Sequence, residues 1–184
     1  MKEPLDYSKR IFIAGGHGMV GSSIIRNIKK LDRKNKFSRS LILSPKRSEL
    51  DLTNYESVKN WFKENKPNVV IIAAAKVGGI NANNTMPFNF ILENIKIQTN
   101  LIEISWLFNV ETLIFLGSSC IYPKFAKQPI KEEYLLTDSL ETTNEFYALA
   151  KISGIKLCQA LKKQHNFNSI CLMPAKFRDI FNNK

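Results

Sequence analysis

Ile11-Phe12-Ile13-Ala14-Gly15-Gly16-His17-Gly18-Met19-Val20-Gly21 reads as a short apolar strand, a glycine turn and the start of a helix. The glycines fit Gly15-x-x-Gly18-x-x-Gly21 or Gly16-x-Gly18-x-x-Gly21. Residues without Cβ let a backbone turn tightly and approach a pyrophosphate at a helix N-terminus, where unpaired N–H groups and the dipole favour anions. Glycines also serve ordinary turns. The strand before and the helix after supply the context a dinucleotide site requires. Gly15, Gly16, His17, Gly18, Met19, Val20 and Gly21 are therefore candidate cofactor residues.

Outward from this turn, apolar runs alternate with helix-period segments, the pattern of a parallel sheet with crossover helices. Strands are expected at Arg10 to Ala14, Leu41 to Leu43, Asn68 to Ala75, Thr112 to Gly117 and Ser169 to Met173. Helices are expected at Met19 to Leu31, Tyr55 to Asn65, Phe88 to Phe108 and Asn144 to Gln164. Thr53 with Glu56 predicts a capping box, and Pro67 a stop after the second helix. The fold class is α/β, a doubly wound Rossmann sheet of about five strands where six are usual. One domain is expected over residues 1–174, followed by an atypical tail over 175–184.

An NAD-preferring site places Asp or Glu after the second strand to accept from the ribose hydroxyls. Here Leu43-Ser44-Pro45-Lys46-Arg47 carries no acid before Glu49, and Lys46 and Arg47 are suited to a 2′-phosphate, so NADP(H) is expected. The bland alternative is a pair of exposed loop cations. Asp51, Leu52, Ala73-Ala74-Ala75, Tyr147 and Lys151 complete the candidate cofactor set, with Asp51 either facing the adenine or capping the next helix.

The fourth strand opens into Ser118-Ser119-Cys120-Ile121-Tyr122-Pro123 at its carboxyl end, where open α/β sheets bind ligands. Further on, Tyr147 and Lys151 stand four residues apart in a helical segment, about 6 Å along one face. A lysine cation beside a tyrosine stabilises phenolate and is expected to lower its pKa. The tyrosine then exchanges a proton with a hydroxyl or carbonyl while nicotinamide exchanges hydride. Such a pair alone is common surface decoration; after a glycine turn and a Ser-Ser strand end it points to a dehydrogenase/reductase.

Ala73-Ala74-Ala75-Lys76-Val77-Gly78-Gly79-Ile80, Asn83-Asn84-Thr85, Gly117-Ser118-Ser119-Cys120-Ile121-Tyr122-Pro123-Lys124, Lys127-Gln128-Pro129 and Thr143-Asn144-Glu145-x-Tyr147-Ala148-x-Ala150-Lys151 resemble the GDP-L-fucose synthase family, within the short-chain dehydrogenase/reductases. The likeness runs from about Arg10 to Pro174. It implies epimerisation of GDP-4-keto-6-deoxy-D-mannose at C3 and C5 and reduction of its C4 ketone by NADPH. By the resemblance Ser118, Tyr147 and Lys151 are the reduction triad, and Cys120 is the acid/base of epimerisation. It also implies a homodimer built on the Phe88 to Phe108 and Tyr147 helices. Cys158 and Cys171 read as core; Asn94 and Asn100 are candidates for holding loops.

The sequence departs from the family after Met173-Pro174, where Ala175-Lys176-Phe177-Arg178-Asp179 replaces the usual continuation. The family's C-terminal substrate domain, with a histidine that partners the cysteine, is expected to be missing. His17 and His165 match no such position, and His165 reads as a solvated helix end. The alternative to a truncated enzyme is a non-catalytic nucleotide-binding module or a non-functional remnant.

The 184 residues are 44% hydrophobic, as in soluble globular chains, with no apolar run near the roughly 20 residues that span a bilayer. Three scattered cysteines argue against a disulfide framework and fit a reducing cytoplasm, and the first residues lack a signal peptide's apolar core. No metal site is expected. Much of the net charge of +11 sits in Arg26, Lys29, Lys30, Arg33, Lys34, Lys36 and Arg39, with Phe37 the one aromatic among them. A solvated face explains this better than a nucleic-acid site, which interleaves aromatics with its cations.

Overall fold

The computed structural model describes residues 9–34 and 41–174. The tail expected over 175–184, and Lys36, Phe37 and Arg39 of the basic stretch, lie outside the described residues. Among the described residues five strands form one sheet: β1 (Arg10–Ala14), β2 (Leu41–Leu43), β3 (Val69–Ile72), β4 (Thr112–Leu116) and β5 (Ser169–Leu172). Every pairing is parallel and the order is β2-β1-β3-β4-β5. The chain reverses its direction of travel across the sheet between β1 and β3, the switch point at which such sheets open a crevice.

Alternate strand residues feed two layers, as the two-residue period of a strand requires. Phe12, Val70, Ile72, Leu113 and Phe115 face a core closed by α2 (Tyr55–Asn65), α4 (Pro87–Leu107) and α5 (Glu145–His165). Ile13, Val69 and Ile71 face the other side, where Ile24, Ile25 and Ile28 of α1 (Met19–Lys34) cover them. Strands buried on both faces are nearly continuous Val, Ile and Phe for this reason.

The helices end where local chemistry stops them. Asn54 caps α2, accepting from Ser57 N–H at 2.9 Å, so the expected Thr53–Glu56 box does not form. Asp51 has captured Thr53 instead, accepting from its N–H at 2.9 Å and its hydroxyl at 2.7 Å. Lys66 closes α2 in the left-handed region ahead of Pro67, which acts as the expected stop. A short helix, α3 (Ile80–Thr85), was not expected; it is brief and rich in Asn, a poor helix former. Pro87 at the first turn of α4 separates the two. Strand β3 stops at Ile72, three residues earlier than expected, because Ala73–Ala75 leave the sheet to line the crevice.

Helices α4 and α5 are fastened by polar groups as well as packing. Buried Gln98 donates to the Ala150 carbonyl at 2.5 Å and to Ser153 Oγ at 2.8 Å. Asn94 and Asn100 hold loops as expected: Asn94 exchanges hydrogen bonds with the Lys76 backbone, both at 2.9 Å, and Asn100 donates to the Leu52 carbonyl at 3.0 Å. Both loops border the crevice. No described helix is long and apolar enough to cross a membrane.

Candidate active site: a dinucleotide cleft

A cleft of about 520 Å³ opens at the carboxyl ends of β1, β3 and β4. Its first wall is the glycine turn. Gly15 holds φ +81°, and a Cβ there would lie 2.7 Å from the Ala74 backbone, so the position excludes other side chains. Gly21 lies in the first turn of α1, and a Cβ there would lie 2.3 Å from the Gly15 carbonyl oxygen; its task is close packing of helix on turn. Gly15, His17, Gly18, Met19 and Val20 line the cleft, whereas Gly16 and Gly21 lie behind it. The ring of His17 hydrogen-bonds the Ser44 carbonyl at 3.0 Å, tying the turn to the end of β2.

The second wall carries Pro45, Arg47, Leu50, Asp51 and Leu52, and the third Ala73 through Val77, with Glu93 and Ile97 of α4 at their side. Of the two expected cations, Arg47 reaches the cleft and Lys46 does not. The Lys46 N–H instead donates to the Glu49 carboxylate at 2.7 Å, which folds the acid back onto the turn. Hydrogen bonds from Thr53 hold the Asp51 carboxyl below its ordinary range. This shape and lining fit a dinucleotide. The turn leaves room for a pyrophosphate against α1, the apolar walls suit an adenine, and Arg47 stands at the β2 end where a 2′-phosphate would lie.

Tyr147 and Lys151 of α5 form the far end with Leu116 and Gly117. Lys151 is buried; its ammonium donates to the Leu116 carbonyl at 2.9 Å and lies 4.9 Å from the Phe115 ring and 5.8 Å from the Tyr147 ring. Burial brings its pKa down to about 8, so it remains mostly cationic at neutral pH. The expected lowering of the tyrosine does not occur. Burial pushes Tyr147 up to about 12, with charge on Cys120 adding to the rise. Desolvation of the phenol outweighs the neighbouring cation, whose donor is turned to a backbone carbonyl. Tyr147 is therefore a protonated hydroxyl at neutral pH.

Ser118 and Cys120 do not line the cleft; they stand just beyond β4. Ser118 caps the turn Ser119–Ile121, its Oγ accepting from Cys120 N–H at 3.4 Å. Burial pushes the Cys120 thiol up, against opposing pulls from Ser118 and Lys151. Cys120 thus shares its electrostatic environment with both Tyr147 and Lys151. Cys158 is buried as expected, whereas Cys171 is half-buried on β5. His165 is exposed, with its ring 4.5 Å from that of Trp106.

Sequence reasoning missed Lys76, Glu93 and Ile97 as cleft residues. Lys76 lay inside a quoted motif, but Glu93 and Ile97 carry no local signal. They reach the cleft only because α4 crosses the sheet beside β3.

A parallel sheet with a glycine turn at its switch point and a Tyr147–Lys151 pair beyond β4 defines a dinucleotide-binding domain of the short-chain dehydrogenase/reductase kind. The chain belongs to the NAD dependent epimerase/dehydratase family, which it matches over residues 11–177. It is 54% identical over 166 residues to the GDP-L-fucose synthase of Sinorhizobium fredii (strain NBRC 101917 / NGR234), covering 90% of this chain and 51% of that protein. It is 53% identical over 169 residues to GDP-L-fucose synthase 1 of Arabidopsis thaliana, covering 92% and 50%. Among solved structures, a GDP-D-glycero-L-gluco-heptose synthase from Campylobacter jejuni in the presence of NADPH superposes with a TM-score of 0.86 at 36% identity, covering 94% of this chain and 49% of that one. The chain thus spans about half the length of the curated relatives it matches.

Proposed function

We propose that the chain is the cofactor-binding portion of an NADPH-dependent epimerase/reductase acting on GDP-4-keto-6-deoxy-D-mannose in GDP-L-fucose synthesis. The observation that carries this reading is the placing of Tyr147 and Lys151 at one end of a cleft whose other end is the glycine turn and Arg47. The likeness to GDP-L-fucose synthases supports the substrate, and the Campylobacter relative studied with NADPH supports the cofactor. Bound NADPH supplies the hydride for reduction of the C4 ketone. Tyr147, kept protonated, donates its hydroxyl proton to the ketone oxygen, and the Lys151 cation stabilises the phenolate left behind. Ser118, at the β4 end, is assigned to orient the same oxygen.

Epimerisation needs one group to take a proton from the carbon beside the ketone and another to return it. With its pKa raised, Cys120 is a thiol at neutral pH and suits the donor role. The base opposite it is neither histidine of this chain. His17 is held at Ser44, and His165 lies against Trp106. That observation favours a second reading, in which these residues bind nucleotide without turnover.

The first test is titration of purified chain with NADPH and NADH. Tighter binding of NADPH is expected, and Arg47→Ala should cost about 1–2 kcal/mol of NADPH affinity, the scale of a charged hydrogen bond. Equal or NADH-favoured binding, or none, overturns the cofactor assignment.

The reading places residues 1–174 in one dinucleotide-binding unit and the protein in the cytoplasm, consistent with three free thiols. It includes a homodimer through α4 and α5. Leu101, Ile102 and Ile104 are fully buried in the chain, whereas Ile91, Leu92 and Ile95 remain partly open and Phe88 is exposed. An apolar surface of that kind suits a second copy. Sedimentation at micromolar concentration with cofactor present should give a dimer, and a monomer counts against it.

A further inference from the structure

Glu93 occupies an unusual position in a cleft built for an anionic cofactor. It is a carboxylate on the lining, only 24% exposed, between two cations that also line it. Its Oε1 pairs with Lys76 Nζ, and its Oε2 lies 3.9 Å from an Arg47 guanidinium nitrogen. The Lys76 side of this arrangement is fixed. Asn94, the next residue on α4, holds the Lys76 backbone through N–H and carbonyl, both at 2.9 Å, so strand end and helix keep register. The Arg47 side is loose, with the side chain 86% exposed. An ion pair so open to water contributes little to stability and is easily exchanged.

We propose that Glu93 sets the preference between NADPH and NADH by competing with the cofactor's 2′-phosphate for Arg47, an inference that rests on Arg47 being the phosphate-binding residue. When the phosphate arrives, Arg47 turns from carboxylate to phosphate. Glu93 cannot follow or withdraw, because Lys76 keeps it in place. The carboxylate then stands as a second anion within reach of the same guanidinium and opposes the phosphate. NADH, which lacks that group, meets no such opposition. The result is a site selective for NADPH whose grip is moderated, which favours release after hydride transfer.

The test is the NADPH-to-NADH affinity ratio of the 184-residue chain, measured by titration for wild type, Glu93→Gln, Glu93→Ala and Arg47→Ala. Two like charges about 6 Å apart in the water-like surroundings of the exposed Arg47, with Lys76 partly neutralising the carboxylate, repel enough to change affinity about three- to tenfold. Both Glu93 variants are therefore expected to raise the ratio by that factor through tighter NADPH binding. Glu93→Gln keeps a hydrogen-bond partner for Lys76, so agreement of the two variants separates charge from lost packing. If Arg47→Ala lowers the ratio but the Glu93 variants leave it unchanged or lower it, Glu93 does not compete and the inference fails alone. If Arg47→Ala leaves the ratio unchanged, the phosphate lies elsewhere and both readings fall.

Discussion

Mixed with NADPH and GDP-4-keto-6-deoxy-D-mannose, the 184-residue chain is expected to bind cofactor yet form GDP-L-fucose at least roughly 10²–10⁴-fold more slowly than a full-length relative. That range is the effect of losing one positioned proton-transfer group, which on the proposed function is the base that would stand opposite Cys120. The matched relatives are about twice as long, and whatever binding energy their other half adds to orient the reacting carbon enlarges the deficit. Product is followed by chromatography. Turnover at a relative's rate would falsify the argument and mean that an oligomer completes the site. Activity restored by adding the separately produced second half of a relative would mark these residues as one component of a split enzyme. Silence in both assays, with cofactor binding intact, favours the non-catalytic reading.

The second large effect is expected from a single methyl group. Gly15→Ala should destabilise the fold by roughly 3–5 kcal/mol, from left-handed backbone strain and from overpacking. The neighbour a Cβ would strike is the Ala74 backbone at 2.7 Å, and backbone between β3 and the cleft cannot swing aside as a long side chain could. The same displacement would push the glycine-turn wall away from the Ala73–Ala75 wall, so NADPH binding should fall at least tenfold in whatever fraction remains folded. Urea unfolding and cofactor titration measure the two losses. A variant with wild-type stability would show that the turn is far more pliant than its geometry indicates.

How much of this was legible in the sequence depended on distance along the chain. Strands β1 and β2 and helix α2 have the bounds their periodicity predicts, because pattern and punctuation are local there. The glycine turn and the Tyr147–Lys151 spacing were readable for the same reason. Local competition defeated the Thr53 cap, where two good capping residues stand side by side and Asp51 decides between them. The Tyr147 pKa was misjudged because spacing reveals a neighbouring charge but not how far both groups are removed from water. Glu93 was invisible altogether. Nothing within its own helix distinguishes it from a solvated glutamate, and only the register of α4 against Lys76 brings it to the cleft.

Folding of this chain also moves a proton. In the unfolded chain Lys151 is an ordinary lysine, holding its proton to around pH 10.5, whereas in the fold it gives the proton up at about 8. Between those limits the unfolded state binds more protons, so stability rises with pH across that interval, by up to about 3 kcal/mol from this residue. Tyr147 acts in the opposite sense above its ordinary value of 10, where only the unfolded phenol ionises freely. At neutral pH this residue therefore withholds its contribution, a desolvated cation kept beside the hydroxyl that would do the chemistry.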